Sequence, residues 1–133
     1  MSYDVNLITA VSIQTLTEYL PYFEDKTADF GTFTSVEDGQ LVPAQLAEQA
    51  QAFVNDCHTH HFLQEFPWET FRIPAEKMMH DDGALATASL EDIGKLITVH
   101  IRKNDKVDSH LLSMMKSGHI AKMLVRLLQI GAS

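Results

Sequence analysis

Apolar residues at helical spacing in the C-terminal third constrain the fold of this chain more than any other feature. Ser89 followed by Asp92 predicts a helix start, because the carboxylate of Asp92 can accept a hydrogen bond from the amide of the cap residue. Apolar side chains then recur every three or four residues, which is the spacing of one buried helix face. The members of this stripe are Leu90, Ile93, Leu96, Ile97 and Ile101.

Two more helices are predicted after this one. Asp108 can cap the segment "SHLLSMMK", and Gly118 can end it. The segment "HIAKMLVRLLQI" follows and stops at Gly131. The residues predicted to face the core are Ile120, Leu124, Leu127 and Leu128, with Met114, Met115 and Met123 as adaptable filling on or beside the stripes.

A helix is also predicted near the N-terminus, where six apolar residues share one face and Leu7 and Val11 lie outside it. Pro21 is expected to end or kink this helix near Leu20, because proline disfavours the α region in the residue before it. The six residues on the shared face are Val5, Ile8, Leu16, Tyr19, Leu20 and Phe23.

The middle of the chain predicts an extended element followed by a second helix. The stretch from Asp29 to Val42 is rich in Thr and Phe around an Asp38-Gly39 pair, which is typical of a short hairpin. Pro43 is expected in the first turn of a helix that continues through Cys57. The later segment "PAEKMMHDDG" predicts a short helical turn ended by its glycine, Gly83.

Together these patterns predict a mainly α fold: a compact bundle of about five helices with a short extended or hairpin element near residues 29–42. The chain has 133 residues, 45% of them hydrophobic, which suffices for one core without metals or disulfides. We therefore expect a single domain over residues 1–133.

Charge is distributed unevenly along this acidic chain, whose net charge is −8. Residues 1–94 hold 16 acidic and three basic residues, whereas residues 95–133 hold seven basic and two acidic ones. The basic segment is expected to pack on the acidic body or on a second copy, with nucleic acid as an alternative partner because "helix, Gly118, helix" is compatible with a helix-turn-helix. The basic residues in question are Arg102, Lys103, Lys106, Lys116, Lys122 and Arg126.

The stretch "NDCHTHHFLQEFPW" places three histidines within four positions, directly after the only cysteine, Cys57. If the second helix continued to His61, then either Cys57 and His61 or His58 and His61 could bind a zinc or nickel ion, and His58 with His61 is the predicted metal site. The remaining ligands would have to come from a distant histidine or acid. The competing interpretation is a helix C-terminus, where imidazoles stabilise the last carbonyl groups.

Several classes of function are disfavoured. Nucleophile motifs and phosphate-binding glycine loops are absent, so no catalytic residue and no cofactor is predicted. One cysteine allows no intrachain disulfide and fits a reducing cytoplasm. The N-terminus lacks the basic region of a signal peptide, and no apolar run approaches the roughly 20 residues of a membrane span. A cytoplasmic protein without a membrane partner is expected.

The C-terminal segment "LEDIGKLITVHIRKNDKVDSHLLSMMKSGHIAKMLVRLLQI" resembles an uncharacterised bacterial domain-of-unknown-function family. Members of that family end with a pattern like D-L-x-K-L-L-T, then V-R-x-D-R-F, then G-x-I and R-L. The chain departs from D-R-F, where it has Asn104, Asp105 and Lys106, and it has Ser109 where the family has Gly. The resemblance implies a small, mostly helical bacterial protein and assigns no catalytic residue.

Three hypotheses for the function follow from these observations. The first is a non-catalytic interaction or accessory protein that self-associates through apolar helix faces, because apolar helix faces recur along the chain and catalytic signatures are absent. The second is a nucleic-acid-associated protein that uses the basic C-terminal helices. The third is a metal-binding protein or hydrolase built on the histidines.

Overall fold

A computed structural model describes residues 2–107 and 109–132 of the chain, and most of them are helical. The helices are α1 (Ala10–Thr17), α2 (Leu20–Glu24), α3 (Glu48–Thr59), α4 (Arg72–His80), α5 (Asp82–Ala86), α6 (Leu90–Asn104), α7 (His110–Lys116) and α8 (His119–Gly131). Single 3-10 turns lie at Val5–Leu7 and Trp68–Phe71. The strands are β1 (Gly31–Thr32), β2 (Ser35–Glu37), β3 (Gln40–Val42) and β4 (Gln45–Leu46). The mainly α prediction is confirmed.

Helix α6 forms the centre of the core, as its stripe predicted. Ser89 and Asp92 make both hydrogen bonds of the capping box. Three residues of the stripe are buried and the two end residues, Leu90 and Ile101, are partly buried against the same cluster. Because α6 contacts α4, α7 and α8, several of its faces are covered. The buried stripe residues are Ile93, Leu96 and Ile97.

The last two helices end where the glycines predicted. Gly118 adopts a left-handed φ of 87° between α7 and α8, a conformation that glycine tolerates without steric cost. The predicted core position Leu128 is wrong, since its side chain is 49% exposed. Ile120, Leu124 and Leu127 occupy one face at helical spacing, and Leu128 lies about 100° away from Leu127. The predicted cap Asp108 lies outside the described residues.

The N-terminal helix is interrupted where the sequence predicted continuity. Thr9 and Ser12 form a capping box that begins α1, so the residues before Thr9 make only a 3-10 turn. The expected break near Leu20 is present, since α1 ends at Thr17 and α2 begins at Leu20, and Pro21 lies in the first turn of the second of these helices. Proline is tolerated there because the first amides of a helix have no intrahelical partner.

The hairpin is confirmed, whereas two helix boundaries are wrong. Strands β2 and β3 pair in antiparallel register across Asp38 and Gly39, which both adopt a positive φ as a two-residue hairpin turn requires. Pro43 does not start a helix, because the chain first forms β4, which pairs with β1, and α3 begins at Glu48. Gly83 lies inside α5, which the carboxylate of Asp81 caps.

In the described part of the chain, no helix is both long enough and apolar enough to cross a membrane. The buried hydrophobic side chains form one cluster to which all the major helices contribute. The largest fully buried members include Phe53, Phe62, Leu16, Met115 and Met123. The prediction that methionines fill the core is confirmed for Met115 and Met123, and Met114 packs partly buried against the cluster.

Candidate functional site

The predicted metal pair, His58 and His61, lies at the end of α3 with both side chains exposed. The amide of His61 donates to the carbonyl of His58 (3.3 Å), and the amide of Phe62 donates to the carbonyl of Cys57 (3.0 Å). These two bonds form a Schellman motif, which closes a helix by a left-handed residue. His61 is that residue, with a φ of 67°. The histidines therefore coincide with a helix terminus.

The turn after His61 is fastened to the core through one carbonyl group. The hydroxyls of Tyr3 and Thr98 both donate to the carbonyl of Phe62, at 2.7 Å and 3.0 Å. Tyr3 reaches this position because Gly94 leaves space beside its ring, where a Cβ atom would collide with the phenol. Burial raises the pKa of the Tyr3 phenol, so the group remains a donor.

None of the described residues joins His58 and His61 as a third ligand. Among residues 2–107 and 109–132, no group of three or more His, Cys, Asp or Glu side chains is arranged to hold a metal ion. Neighbouring Cys57 is fully buried, and burial raises the pKa of its thiol, which keeps it protonated and unreactive. A metal site at His58 and His61 therefore stays a prediction. The described residues supply no further ligand for it.

Five of the predicted basic residues lie on α6, α7 and α8, Lys106 lies in the turn after α6, and several of the six contact their own chain. Lys122 forms an exposed salt bridge with Asp82 (3.0 Å), and the Nε of Arg126 donates to the carbonyl of Ala88 (2.8 Å). The ammonium groups of two lysines stack over aromatic rings, Lys106 over Trp68 and Lys116 over Phe33. Arg102 and Lys103 lie in the last turn of α6. Contacts such as Lys122–Asp82 match the expectation that the basic segment packs on the acidic body.

Three other histidines meet inside the core, and we call His100, His110 and His119 the histidine triad. Nδ1 of His100 lies 3.0 Å from Nε2 of His110, and Nε2 of His100 lies 3.0 Å from Nε2 of His119. His100 is 1% exposed, whereas the two outer rings are 8% and 7% exposed. The triad is therefore a chain of two hydrogen bonds with a central ring that is shielded from solvent.

The local structure explains how the triad assembles. His100 follows Leu96 and Ile97 at helical spacing and so continues the buried stripe of α6. His110 is the first residue of α7, and His119 is the first residue of α8. The left-handed residues Ser109 and Gly118 immediately precede those two helices and turn the chain back toward α6. The triad thus joins two helix starts to the side of a third helix.

The hydrogen bonds of the triad are compatible with three neutral rings. If Nδ1 of His100 carries the proton, it donates a hydrogen bond to Nε2 of His110, and Nε2 of His100 accepts a hydrogen bond from the Nε2–H of His119. The opposite tautomers reverse both bonds without breaking either. The two nitrogen atoms of His100 point at different partners, so the lone pairs do not converge on one point as ligands of a single metal ion must.

Protonation of the triad is unfavourable in the folded chain. Burial, together with the other two rings and Lys103, lowers the pKa of His100 well below its ordinary value. Burial also lowers the pKa of His110 to about 4, with Lys103 adding to the effect. The pKa of His119 falls to about 4, again mainly by burial and then by Lys122. The positive ends of α7 and α8 act in the same direction.

Sequence reasoning did not find the triad, because its members lie 10 and 9 positions apart and belong to no motif. One signal was present: His100 falls on the apolar face of a strongly amphipathic helix. A polar ring at such a position must find a hydrogen-bond partner. That signal predicts burial and a partner, but it does not identify His110 or His119.

A second feature that the sequence analysis missed is a surface without charge. Residues 5–17 and residues 127–132 contain no Asp, Glu, Lys or Arg. These segments meet where α1 packs against α8, and we call their common surface the uncharged face. Val11 is 63% exposed, Leu128 49% and Leu7 44%. A groove of about 490 Å³ between the two helices is lined by Ile8, Ile13, Gln14, Leu128 and Ile130, among others.

Comparison with known proteins identifies one family. A model described as "Family of unknown function (DUF6508)" matches residues 8–133 of the chain. No curated protein and no solved structure gives a significant match.

Proposed function

The chain belongs to the family of unknown function DUF6508, and we propose that it is a non-catalytic interaction protein that self-associates through the uncharged face. The single observation that carries the proposal is the exposure of Leu7, Val11 and Leu128 on two segments, residues 5–17 and 127–132, that contain no charged residue. Depletion of charge together with apolar exposure distinguishes the core of an interface from the rest of a protein surface.

The position of this surface supports contact between helices. Val11 adjoins Gln14, one helical turn away, and Gln14 lines the groove beside Leu128. Gly131 lets α1 approach closely, since a Cβ atom there would lie 2.9 Å from the side chain of Ile13. The result is a shallow apolar groove flanked by an exposed apolar ridge. Such a groove and ridge can fit each other across a two-fold axis.

The charge of the molecule supports a second copy as the partner. With a net charge of −8, two copies repel each other over most of their surfaces. Contact through segments that carry no charge avoids that repulsion and desolvates no ionic group. The same face offers no charge with which to select an acidic or basic partner. Homodimer interfaces are also more apolar than those of transient complexes.

Sedimentation velocity over roughly 1–100 µM protein tests the proposal, because that range covers dissociation constants of micromolar dimers. The wild type is expected to shift from monomer to dimer as concentration rises. Val11→Glu and Leu128→Glu each place a charge in the interface, and each is expected to weaken association at least tenfold.

Ile73→Glu is the matched control, since Ile73 is an apolar residue of α4 that is 78% exposed and lies outside the uncharged face. It should leave association unchanged, and circular dichroism should show all the variants folded. A wild type that remains monomeric over the whole range would contradict the proposal. Equal weakening by Ile73→Glu would show that the contact lies elsewhere.

A further inference from the structure

Three helices meet at the histidine triad, and two of them begin there. His110 opens α7 and His119 opens α8, while His100 projects from α6 between them. Helix α7 has only seven residues and is bounded by two residues with a left-handed φ, Ser109 at 69° and Gly118 at 87°. Short helices with few turns depend on tertiary contacts for their stability. The triad supplies such a contact at the first residue of α7.

We propose that the triad is a pH-sensitive latch, which holds the first residues of α7 and α8 against α6 while its three rings are neutral and releases α7 when they take up protons. The proposal rests on the two 3.0 Å nitrogen–nitrogen contacts and on the burial of the central ring. It is independent of self-association through the uncharged face.

Proton counting shows how the latch responds. One added proton can be held on an outer ring, whose Nε2–H donates to His100, while the N–H of His100 donates to the Nε2 of the other outer ring. Both hydrogen bonds therefore survive the first proton. A second proton on the other outer ring turns its Nε2 into a donor that faces the N–H of His100. That contact then has two donors and no acceptor, so it must open.

The charged surroundings oppose protonation on nearly every side. Among the described residues, Lys103 of α6 acts on His100 and His110, and Lys122 of α8 acts on His119. His80 at the end of α4 adds to the effect on His119, and only Asp82 of α5 opposes it. Asp82 is itself paired with Lys122 at the surface. In the part of the chain that the structure describes, no carboxylate is buried that would stabilise imidazolium in the triad.

The sign of the pH effect follows from these directions. The pKa values of His110 and His119 are about 4 in the folded chain and near their ordinary value of about 6.5 once released. The released state therefore binds more protons between about pH 6.5 and pH 4. The latch is closed above that window and is progressively weakened as the pH falls through it.

Hydrogen exchange of the α7 amides in the full-length wild-type chain tests the latch. After correction for the intrinsic exchange rate, the opening constant of Leu111–Lys116 is expected to rise more than tenfold per pH unit between pH 6 and pH 5, because release takes up more than one proton. A rise of tenfold or less would overturn the two-proton latch. The amides of α3 report whether the chain as a whole is unfolding, and an equal rise there would overturn local release.

Two variants and one metal titration complete the test. His119→Gln removes one titrating ring and is expected to flatten the pH dependence of α7 opening, whereas the double variant His58→Gln/His61→Gln, at exposed positions, should retain it. Equal pH dependence in His119→Gln and the wild type would overturn the latch. Zinc or nickel chloride should not slow exchange in α7. Stoichiometric protection by either ion, lost in His119→Gln, would identify a metal site instead.

Discussion

The two histidine clusters of this protein contrast in sequence and in structure. His58, His60 and His61 are close neighbours in the chain and lie at the end of α3, where His58 and His61 are exposed and His60 is half-buried. The triad residues His100, His110 and His119 are far apart in the chain and lie in hydrogen-bonding contact within the core. Proximity in sequence is thus a poor guide to chemical proximity for imidazoles on helices.

The reason lies in helix geometry and in burial. Consecutive residues on a helix point about 100° apart, so a run of histidines spreads around the axis. Residues that open two successive helices can instead be brought together by the packing of those helices on a third. The second arrangement excludes water from the rings, and burial is the largest cause of the lowered pKa values of the triad. The comparison predicts different energetic roles for the two clusters.

The largest expected change in the free energy of unfolding comes from removing the ring of His100, at the centre of the triad. His100→Ala is expected to lower the free energy of unfolding by about 2–4 kcal/mol, because it leaves a cavity and deprives two largely buried rings of their partner. His58→Ala at an exposed position should change it by less than about 0.5 kcal/mol. Urea denaturation at pH 7.5 measures both values. Similar losses in the two variants would remove the distinction between the clusters.

The next effect is the dependence of stability on pH. Since the pKa values of His110 and His119 are lowered to about 4, the unfolded chain binds more protons below about pH 6.5. The stability due to neutral rings is fully present above that pH and is lost as the pH falls toward 4. We expect the free energy of unfolding to drop by roughly 2–4 kcal/mol between pH 7.5 and pH 5.

Urea denaturation at several pH values measures this drop, with His119→Gln as the informative variant. The difference between the wild type and His119→Gln should shrink as the pH falls, because the ring contributes only while neutral. A difference that stays constant or grows toward pH 5 would contradict the sign of the effect.

A smaller loss of stability is expected at the hydrogen bond that holds the turn after α3 against the core. Thr98→Val keeps the shape of the side chain but removes the hydroxyl that donates to the carbonyl of Phe62 (3.0 Å), and it should cost about 1–2 kcal/mol. Thr15→Val is the control, because its hydroxyl donates to the Val11 carbonyl one turn back at the surface. Thermal or urea denaturation compares the two. Equal costs would show that the Phe62 anchor has no special role.

The smallest expected change is an increase in the free energy of unfolding. His61 adopts a φ of 67° in the Schellman motif, where glycine is the usual residue. His61→Gly should therefore raise the free energy of unfolding by about 0.5–1 kcal/mol. His58→Gly, within the last turn of α3, should lower it by a similar amount through loss of helix propensity. If His61→Gly destabilised the protein, then the imidazole would have a role beyond closing the helix.

The sequence predicted local structure better than contacts between distant residues. The capping box at Ser89, the hairpin turn at Asp38-Gly39 and the stop at Gly118 were found, since each depends on a few neighbouring residues. The break near Leu20 was also found, whereas the helix start at Pro43 was misplaced, because proline also suits the residues after a strand. There the β1–β4 pairing determined the structure, and at the N-terminus the Thr9 cap begins α1 later than the apolar pattern suggested.

The candidate sites were harder to predict, for a related reason. The triad depends on how α7 and α8 pack on α6, which no spacing between His100 and His110 encodes. The uncharged face depends on the contact between α1 and α8, although the absence of charge from residues 5–17 was visible in the sequence. Which of these helices come into contact is determined by the tertiary structure.

The most direct test of the central claim is a long-range proton–nitrogen NMR spectrum of the seven histidine rings at pH 6. His100, His110 and His119 are each expected to show one protonated and one unprotonated ring nitrogen, as neutral imidazoles joined by hydrogen bonds. The nitrogen shifts of His100 should change in the His119→Gln variant. Two protonated nitrogens on any of the three rings at pH 6 would contradict a neutral, hydrogen-bonded triad.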